Sequence, residues 1–479
     1  MNRERRNLLR AAAGAAALGV ASGGAGSESS AGPAIRPEQF GAKGDGVTND
    51  TRAFAAMAQF VSRQGGGEVV LRQTTYLVGS QRRTLPSEDY AFDPEPVMEF
   101  FGCSAPLVIR GNGAVLRCAS GLRFGAFDRE SGRPVRRAMP NYKKGELSSP
   151  YKWMIKAERC SGRIEISDLE LDGNLPRLQV GGPWGDADYQ LPGCGIGLYE
   201  NSGPEIIRRV YAHHHPLDGI TIDGADRDRS APSVIEDVRC EYNGRQGCSI
   251  VGGRNYAFTN CKFRHTGKAG IASAPGAGVD IEAEAGKKIR ALRFDGCEFS
   301  DNLGPGVIAG LGDSEAIAFT GCTFIGTTSW SAWPAAPSMR FSRCRFVGPI
   351  VSAYGDRAHP ERAAQFLDCT FLDDPALAPG GKVFIGQNTD GPIADLPNSP
   401  NARFSRCTFR LTARAVLPWT TNVVTFADCT MAQASVKVSY PRGHFVGRNT
   451  ISGKADLYSA IIDGVVILNG QTLPRGPYV

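Results

Sequence analysis

Short segments in which apolar and polar residues alternate make up most of this 479-residue chain. The clearest pattern is Phe-x-x-Cys-x-Phe, which begins at Phe258 and recurs until a seventh copy replaces its last Phe with Met431. The cysteines of successive copies are 36, 25, 22, 25, 38 and 22 residues apart. A period just above twenty, with no helical pattern between copies, predicts a β-helix, a solenoid of parallel strands in which each copy is one coil.

The apolar positions of this repeat are predicted to face the core. We expect a Phe and the Cys of each copy to lie on one inward column, where like residues stack from coil to coil. The chain has 13 cysteines, an odd number, and they recur within this motif. We therefore predict that the cysteines pack as small buried apolar residues and do not form disulfides.

A second pattern, Gly-apolar-x-apolar-x, precedes the Phe and Cys ladder. Its copies begin at Gly195, Gly219, Gly247, Gly278 and Gly306. The second and fourth positions are predicted to face the core, so the third and fifth face outward. The two outward columns are Gly197, Thr221, Ser249, Asp280, Ile308 and Tyr199, Asp223, Val251, Glu282, Gly310. Acidic residues flanked by small ones in these columns predict a substrate groove.

Three carboxylates of these columns, Asp280, Glu282 and Asp223, are candidates for catalysis. Asp280 and Glu282 are about 6.6 Å apart at Cα on one predicted strand, and Asp223 lies about 9.6 Å from Glu282. Glycoside hydrolysis uses an acid and a carboxylate, about 5–5.5 Å apart for retention and about 6.5–9.5 Å for inversion. Repulsion between neighbouring carboxylates is expected to raise one pKa, which supplies the acid. We predict Asp280 and Glu282 as the pair, with Asp223 as helper or replacement.

A further set of residues near the predicted groove are candidates for substrate binding. They are His215, Asp218, Tyr242, Arg245, Tyr199, Trp184 and Lys268. His215 is the last of three consecutive histidines, which by composition look like a metal site. Neighbouring side chains on a strand or turn are expected to point apart, and no Cys or His partner has zinc spacing. We therefore predict no metal ligand there and a substrate contact for His215.

Residues 1–31 are predicted to be a leader outside the fold. Arg5-Arg6-Asn7-Leu8-Leu9-Arg10 and the Ala-rich run after it resemble a twin-arginine export signal. This resemblance implies a periplasmic or secreted protein. The apolar run is too short for a membrane-spanning helix, so no membrane span is expected. Residues 32–479 are predicted to form one β-helix domain with loop insertions at about 120–151 and 174–193.

A single helix is predicted after Asp50, a good N-cap residue. Phe54, Met57, Phe60 and Val61 lie on its apolar face. A stack of strands exposes apolar core and unpaired backbone at its open end. We therefore expect this helix to cap the N-terminal end of the β-helix.

The residues before this helix carry a family resemblance. Phe40-Gly41-Ala42-Lys43-Gly44-Asp45-Gly46-Val47-Thr48-Asn49-Asp50-Thr51 resembles the N-terminal signature of the pectate-lyase and rhamnogalacturonase-type families. The resemblance implies an all-β fold, a single-stranded right-handed parallel β-helix. Enzymes of this superfamily include polysaccharide hydrolases, lyases and epimerases, and some members are phage tailspikes, so the fold leaves the activity open.

Charge and chemistry together leave three function hypotheses. The formal charge of +6 is too mild for the dense basic patch of a nucleic-acid-binding protein. The preferred hypothesis is a glycoside hydrolase or transglycosylase that needs no cofactor and acts on a polysaccharide or oligosaccharide. The second is a lyase of a uronic-acid polymer, in which the carboxylates hold Ca²⁺ and Arg245 or Lys268 removes a proton. The third is a non-catalytic glycan-binding solenoid. A trimer is compatible with each.

Overall fold

The computed structural model describes residues 33–85, 89–135, 145–182, 191–225, 231–386, 390–421 and 423–478. Strands of successive coils pair in parallel through almost all of this length. One α-helix, Thr51–Arg63, lies near the N-terminus. The predicted fold class, an all-β parallel β-helix with an N-terminal helix, is confirmed. The predicted leader, residues 1–31, lies outside the described residues.

Each coil contributes strands to three faces, numbered here in the order in which the chain visits them. The first face comprises Met98–Phe101, Trp153–Glu158, Cys194–Tyr199, Asp218–Asp223, the first half of Gln246–Thr259, Val279–Glu282, Val307–Leu311, Ala332–Pro334, Ile350–Val351, Ala394–Leu396 and Trp419–Thr420. The long strands Leu107–Cys118, Ile164–Asp172 and Glu205–His213 run from the second face onto the third.

The remaining strands of the β-helix belong to the second and third faces. The second face also contains Gly67–Val70, Ser233–Glu236, the second half of Gln246–Thr259, Lys288–Asp295, Asp313–Thr320, Arg340–Ser342, Gln365–Leu367, Arg403–Ser405, Thr425–Ala427, His444–Val446 and Ile461–Ile462. The third also contains Thr75–Val78, Arg239–Glu241, Lys262–Arg264, Glu298–Ser300, Thr323–Ile325, Arg345–Val347, Thr370–Leu372, Thr408–Leu411, Thr430–Gln433, Arg448–Ser452 and Val465–Leu468.

Short elements complete the described chain. Gln471–Leu473 and Gly476–Pro477 pair antiparallel with the last coils. The 3-10 helices are Pro37–Phe40, Leu175–Arg177, Pro360–Arg362, Pro375–Leu377 and Pro379–Gly381. Within the described ranges, no helix has the length and apolar character needed to cross a membrane.

The insertions predicted at 120–151 and 174–193 contain strands as well as loops. Their described strands and two earlier ones form a separate five-stranded sheet, made of Gln81–Arg83, Tyr90–Pro94, Arg123–Ala126, Leu147–Ser148 and Gln179–Gly181. The rings of Phe92 and Phe127 pack edge to face with their centres 6.3 Å apart. Trp184, predicted to bind substrate from the second insertion, lies outside the described residues.

The Phe-x-x-Cys-x-Phe repeat forms three separate stacks. The first Phe of each copy lies on the second face, the last Phe on the third face, and the Cys at the bend between them. Phe319 and Phe341 stack with ring centres 4.9 Å apart, and Phe324 and Phe346 do so on the next face at 4.8 Å. The prediction of one column shared by Phe and Cys is therefore wrong, because the chain turns a corner within each copy.

All thirteen cysteines are buried free thiols, which confirms that they pack and do not pair. From the second copy of the repeat on, the thiol donates a hydrogen bond to the carbonyl of the first Phe in the preceding copy. Cys344 donates to Phe319 at 3.5 Å and Cys369 to Phe341 at 3.4 Å. The thiols thus fill the bend as small apolar groups and also tie each coil to the one before it.

The N-terminal helix packs against the first strand of the first face, Met98–Phe101. Its buried residues, among them Phe54 and Val61, belong to the main apolar core. Phe60, predicted on the same helix face, is 37% exposed. At 3.6 residues per turn, six residues carry Phe60 away from the side on which Phe54 lies.

Phe341→Ala tests the aromatic stack. Phe341 is completely buried, with ring centres of neighbouring coils 4.9 Å away on both sides. Removing a buried ring and leaving a cavity costs about 3–5 kcal/mol, so we expect the free energy of unfolding in urea to fall by that amount. Arg345→Ala, an exposed position of the same copy, is the control and should change it by less than about 0.5 kcal/mol. Equal effects of the two substitutions would contradict the stack as a source of stability.

Candidate functional site

A stack of glycines forms the start of the first face. Equivalent positions in successive coils are occupied by Gly195, Gly219, Gly247, Gly278 and Gly306. A Cβ on Gly219 would lie 2.7 Å from the carbonyl oxygen of Gly247, and a Cβ on Gly247 would lie 2.5 Å from that of Gly278. Only glycine fits where consecutive coils approach so closely. This contact explains why each copy of the second repeat begins with Gly.

The first predicted outward column is confirmed by the strand pairing. We call this column, with one further residue at each end, the groove row; in order of coils it is Lys156, Gly197, Thr221, Ser249, Asp280, Ile308 and Trp333. Small side chains precede Asp280, and two large apolar side chains follow it. Asp280 therefore lies at the boundary between small and large apolar side chains of the groove row.

The second predicted outward column is wrong in part. Asp223 pairs with Gly252 and not with Val251. In the same way, the partner of Glu282 is not Gly310 but the residue after it. In each case the pairing skips one residue of the following strand, Val251 or Gly310, so the second column loses its register there. The alternating pattern predicts these strands but not these shifts.

Asp280 is the central acid of the groove row. It is only 7% exposed, and its Oδ2 accepts a 2.7 Å hydrogen bond from Nε2 of Gln246. Burial, followed by repulsion from Glu282, raises the pKa of Asp280 to about 7. Repulsion, the cause expected from the sequence, thus contributes less than burial. Near neutral pH this carboxyl is partly protonated.

Glu282 differs from Asp280 in its surroundings. It lies two residues further along the same strand and is partly exposed. No hydrogen bond or ion pair from the part of the chain that the structure describes engages its carboxylate. One strand therefore carries a buried carboxyl that retains a proton and a second carboxyl that is open to solvent. This is the pair predicted from the sequence.

Arg245 and Asp218 form an ion pair beside Thr221 of the groove row. Nε of Arg245 lies 2.8 Å from Oδ1 of Asp218, and the Thr221 hydroxyl donates to Oδ2 at 3.2 Å. Burial opposes the charge of Arg245, but Asp218 outweighs it, so the pKa of the guanidinium lies above its ordinary value. Asp218 has no exposed surface. Its predicted contact with substrate therefore needs correction, since Asp218 instead orients Arg245.

Asp223 is paired with a cation that the sequence pattern does not indicate. Both of its carboxylate oxygens lie 2.6 Å from the Lys287 ammonium group. Burial raises the pKa of Asp223, although Lys287 opposes the rise. A carboxylate held in this way is less available for proton transfer than one bound to a neutral amide. The geometry therefore suits a supporting role for Asp223 better than replacement of either acid.

His215 lies beneath the groove and not on it. The side chain is completely buried, and its Nδ1 is 2.8 Å from the Tyr151 hydroxyl. Burial lowers the pKa of His215 well below its ordinary value. Its Nε2 faces Gly195, where a Cβ would come within 2.7 Å. The predicted substrate contact is corrected, because a side chain without exposed surface cannot reach a ligand.

Tyr242 and Lys268 lie at the bends that lead from the third face to the first. Tyr242 stacks between His214 and His265, with ring centres 5.1 and 4.5 Å away. Nζ of Lys268 lies 2.6 Å from Oδ1 of Asp301, in the same row of bends. Their predicted substrate contacts would therefore be made at these bends, before the first-face strands begin.

Aromatic side chains lie at both ends of the groove row. At one end, Tyr199 and Trp153 pack edge to face at 5.5 Å, and the Lys156 ammonium group lies 4.6 Å from the centre of the Trp153 ring. At the other end, Trp333 and Trp330 pack edge to face at 5.4 Å. Ligand sites are typically lined by such side chains. The sequence pattern indicates Tyr199 only, because the glycine that marks the second repeat is missing from the coil of the two tryptophans.

The described residues contain one cluster of potential metal ligands, Asp172, His213 and His214, whose donor atoms all lie within 4.8 Å of one another. The expectation that consecutive histidines point apart is wrong here. His214 has a left-handed backbone with φ of 54°, and its Nδ1 lies 2.7 Å from Nδ1 of His213. The carboxylates of Asp280 and Glu282 are not part of any such cluster among the described residues.

A surface depression of about 500 Å³ lies elsewhere, at the bend between the second and third faces. Asp168 and Arg209 in its lining form a bidentate ion pair at 2.6 and 2.9 Å. Arg239 lies 4.0 Å from the centre of the Tyr211 ring. These charged groups thus have partners, whereas the strongly perturbed carboxyl, Asp280, lies on the first face. Perturbed acids often mark functional sites, so we place the candidate site on the groove row.

Comparison with known proteins gives one informative sequence match. No protein-family model matches the chain. The chain is 42% identical over 347 residues to depolymerase 1 of Klebsiella phage KN3-1, which is described as capsule KN3-specific. The match covers 65% of this chain and 39% of the relative, so the chain spans well under half of the relative's length.

Several solved structures align with this chain at low sequence identity. The mannuronan C-5 epimerase AlgE4 A-module of Azotobacter vinelandii is 17% identical with a TM-score of 0.47, over 88% of this chain and 97% of that one. The tailspike gp49 of Acinetobacter baumannii bacteriophage Fri1, a capsular polysaccharide depolymerase, is 13% identical with a TM-score of 0.43, over 92% and 64%. A Thermotoga maritima exopolygalacturonase is 12% identical with a TM-score of 0.33, over 92% and 94%. The parallel β-helix that the family resemblance implies is confirmed by the strand pairing of this chain.

The raised pKa of Asp280 predicts a pH-dependent stability. Between the ordinary pKa of 3.8 and about 7, the native carboxyl keeps its proton while the unfolded chain releases it. The free energy of unfolding therefore falls as the pH rises through that window. Asp280→Asn removes this loss. The free energy of unfolding of the variant should therefore rise relative to that of the wild type, by up to about 1.4 kcal/mol for each pH unit of the window. Urea titrations across the window measure the difference.

Asp295→Asn is the matched control for this titration. Asp295 is an exposed carboxylate at the end of a second-face strand. Its substitution should leave the pH dependence of the free energy of unfolding as in the wild type. A difference between Asp280→Asn and wild type that stays constant from about pH 4 to about pH 7 would contradict the raised pKa.

Proposed function

We propose that this chain belongs to a polysaccharide depolymerase that cuts glycosidic bonds by hydrolysis in the groove of the first face. The observation that carries the proposal is the pair on one strand: Asp280, with its pKa raised to about 7, and the partly exposed Glu282. Glycoside hydrolysis needs such an acid and such a carboxylate. The likeness to a capsule-specific phage depolymerase supports a bacterial capsular polysaccharide, or a similar glycan, as the substrate class.

In this mechanism Asp280 is the general acid and Glu282 the second carboxylate. The proton of Asp280 passes to the glycosidic oxygen as its bond to the anomeric carbon breaks. Glu282 takes a proton from a water molecule, whose hydroxyl group ends on the anomeric carbon, and proton exchange with solvent then resets both groups. This is the inverting route, in which the two carboxyl groups leave room for the water molecule between them.

Side chains around the acid pair would bind and orient the glycan. Gln246 holds Asp280 through its amide, and Arg245 is kept charged by Asp218. A guanidinium beside the groove row suits hydroxyl or carboxylate groups of a sugar. The aromatic pairs that contain Tyr199 and Trp333 lie three coils before and two coils after Asp280. At about 4.8 Å per coil they are about 24 Å apart, enough for several sugar rings.

Lyase chemistry on a uronic-acid polymer is the alternative. It requires a base, for which Arg245 and Lys268 are the candidates in the sequence. Each is paired with a carboxylate, Asp218 at 2.8 Å and Asp301 at 2.6 Å, and Asp218 keeps the pKa of the Arg245 guanidinium above its ordinary value. The Ca²⁺ expected for this route needs converging carboxylates, which the described groove residues do not supply. These observations favour hydrolysis over elimination.

We further propose that the protein acts outside the cytoplasm, in the periplasm or as a secreted protein. Residues 1–31 resemble a twin-arginine export signal. The relative that carries the sequence match is a capsule-specific depolymerase of a phage. Surface glycans of bacteria are reached only from outside the cytoplasm.

Asp280→Asn should abolish cleavage and leave binding intact. Loss of a general acid lowers turnover by about 10²–10⁴-fold, whereas Asn preserves the shape of the side chain. Release of reducing ends from bacterial capsular polysaccharides measures turnover, and calorimetric titration with the same glycans measures binding. Asp295→Asn is the control and should retain both. Unchanged turnover in Asp280→Asn would exclude Asp280 as the acid.

Product mass distinguishes hydrolysis from elimination. The purified protein is incubated with neutral and acidic polysaccharides, with and without a chelator, and the fragments are weighed by mass spectrometry. We expect one added water for each bond cut, because hydrolysis transfers hydroxyl and proton to the two new ends. Unsaturated fragments without that water would contradict hydrolysis and favour the lyase. Binding without any cleavage would favour a glycan-binding solenoid.

A further inference from the structure

We propose that Asp172, His213 and His214 form a binding site for a divalent metal ion of the zinc type. Nδ1 of His213 lies 2.7 Å from Nδ1 of His214 and 3.8 Å from Oδ1 of Asp172. Ligand atoms that share a tetrahedral ion at about 2.0–2.1 Å lie roughly 3.3 Å from one another. The observed separations bracket this value, so small side-chain rotations would suffice to enclose an ion.

The fold brings these residues together through two features. Asp172 and His213 are the last residues of neighbouring third-face strands and pair directly in register. His214 follows with φ of 54°, and Tyr242 and His265 occupy the same bend in the next coils with φ of 57°. The left-handed conformation is therefore a regular property of this row of bends. It turns the ring of His214 toward the end of the strand, where His213 lies.

Neighbouring groups prepare the ligands for a cation. Nε2 of His213 lies 3.3 Å from the Glu170 carboxylate, which favours a proton on Nε2 and a free lone pair on Nδ1. Such carboxylate–histidine contacts are a regular feature behind metal-binding histidines. Asp172 is oriented by Arg117, 2.7 Å from Oδ2, and by the backbone N–H of Asn174, 2.8 Å from Oδ1.

The donor set determines the kind of ion. Two imidazole nitrogens and one carboxylate oxygen suit Zn²⁺ and its neighbours Co²⁺ and Ni²⁺, whereas Ca²⁺ and Mg²⁺ prefer oxygen ligands alone. Asp172 and His213 are each 8% exposed, and His214 is half-buried. Three protein ligands leave a fourth position for water or another oxygen ligand. The metal site shares no residue with the pair of Asp280 and Glu282. The metal-binding proposal can therefore be tested independently of the proposed hydrolysis.

Metal titration of the tag-free protein tests the site. The chain is treated with chelator, dialysed, and titrated with ZnCl₂ by calorimetry and with CoCl₂ by visible absorption. We expect one tightly bound Zn²⁺ per chain, a Co²⁺ spectrum of tetrahedral type, and a higher melting temperature with Zn²⁺, because an ion that binds only the folded chain stabilises it. Absence of Zn²⁺ binding to the wild type would overturn the proposal.

His214→Asn is the diagnostic variant. Asn tolerates the left-handed conformation, so the bend is kept while the imidazole is lost. Loss of even an outer partner of a ligand costs about 10–100-fold in metal affinity, so we expect Zn²⁺ binding to weaken by more than about 100-fold. His265→Asn changes a histidine in the equivalent conformation, paired with Asp301, and should bind Zn²⁺ as the wild type does. Equal affinity in both variants would assign the ion to other residues and overturn the proposal.

Discussion

Parallel pairing of each coil with the next, in register, is the constraint on which the rest of the structure depends. Residues at one position of a coil lie about 4.8 Å from those at the same position of the next. Aromatic rings then meet face to face, as Phe319 and Phe341 do, and thiols meet the carbonyls of the coil before. The chain can repeat one short motif because a residue type that packs well against an identical residue in the next coil does so in every coil.

The same register places acidic residues along the first face. The different side chains that bind these acids give them different roles. Asp218 and Asp223 are also buried, but each faces a cation, Arg245 or Lys287, that compensates its charge. Asp280 is buried against the neutral amide of Gln246 and close to another carboxylate. Burial and the repulsion from Glu282 outweigh the opposing charge of Arg245, so the protonated form of Asp280 is favoured. Asp280 is therefore prepared to give up a proton near neutral pH.

Periodicity in the sequence predicts those structural features that recur in every coil. The coils, the buried thiols and the order of the groove row around Asp280 follow from motifs of fixed spacing. Two features do not follow: the register shift by which Asp223 pairs with Gly252, and the left-handed backbone of His214 that brings its ring to His213. Burial of His215 also escapes the pattern, because its partner Tyr151 lies 64 residues away in the sequence. Local alternation carries no information about such contacts.

The central claim is that Asp280 is a carboxyl poised to act as an acid near neutral pH. Infrared difference spectra of wild type minus Asp280→Asn, recorded over a range of pH, test it most directly. The account predicts a protonated-carboxyl C=O band that disappears with a midpoint at about pH 7. A band that disappears below about pH 5, as for an ordinary aspartate, would contradict it.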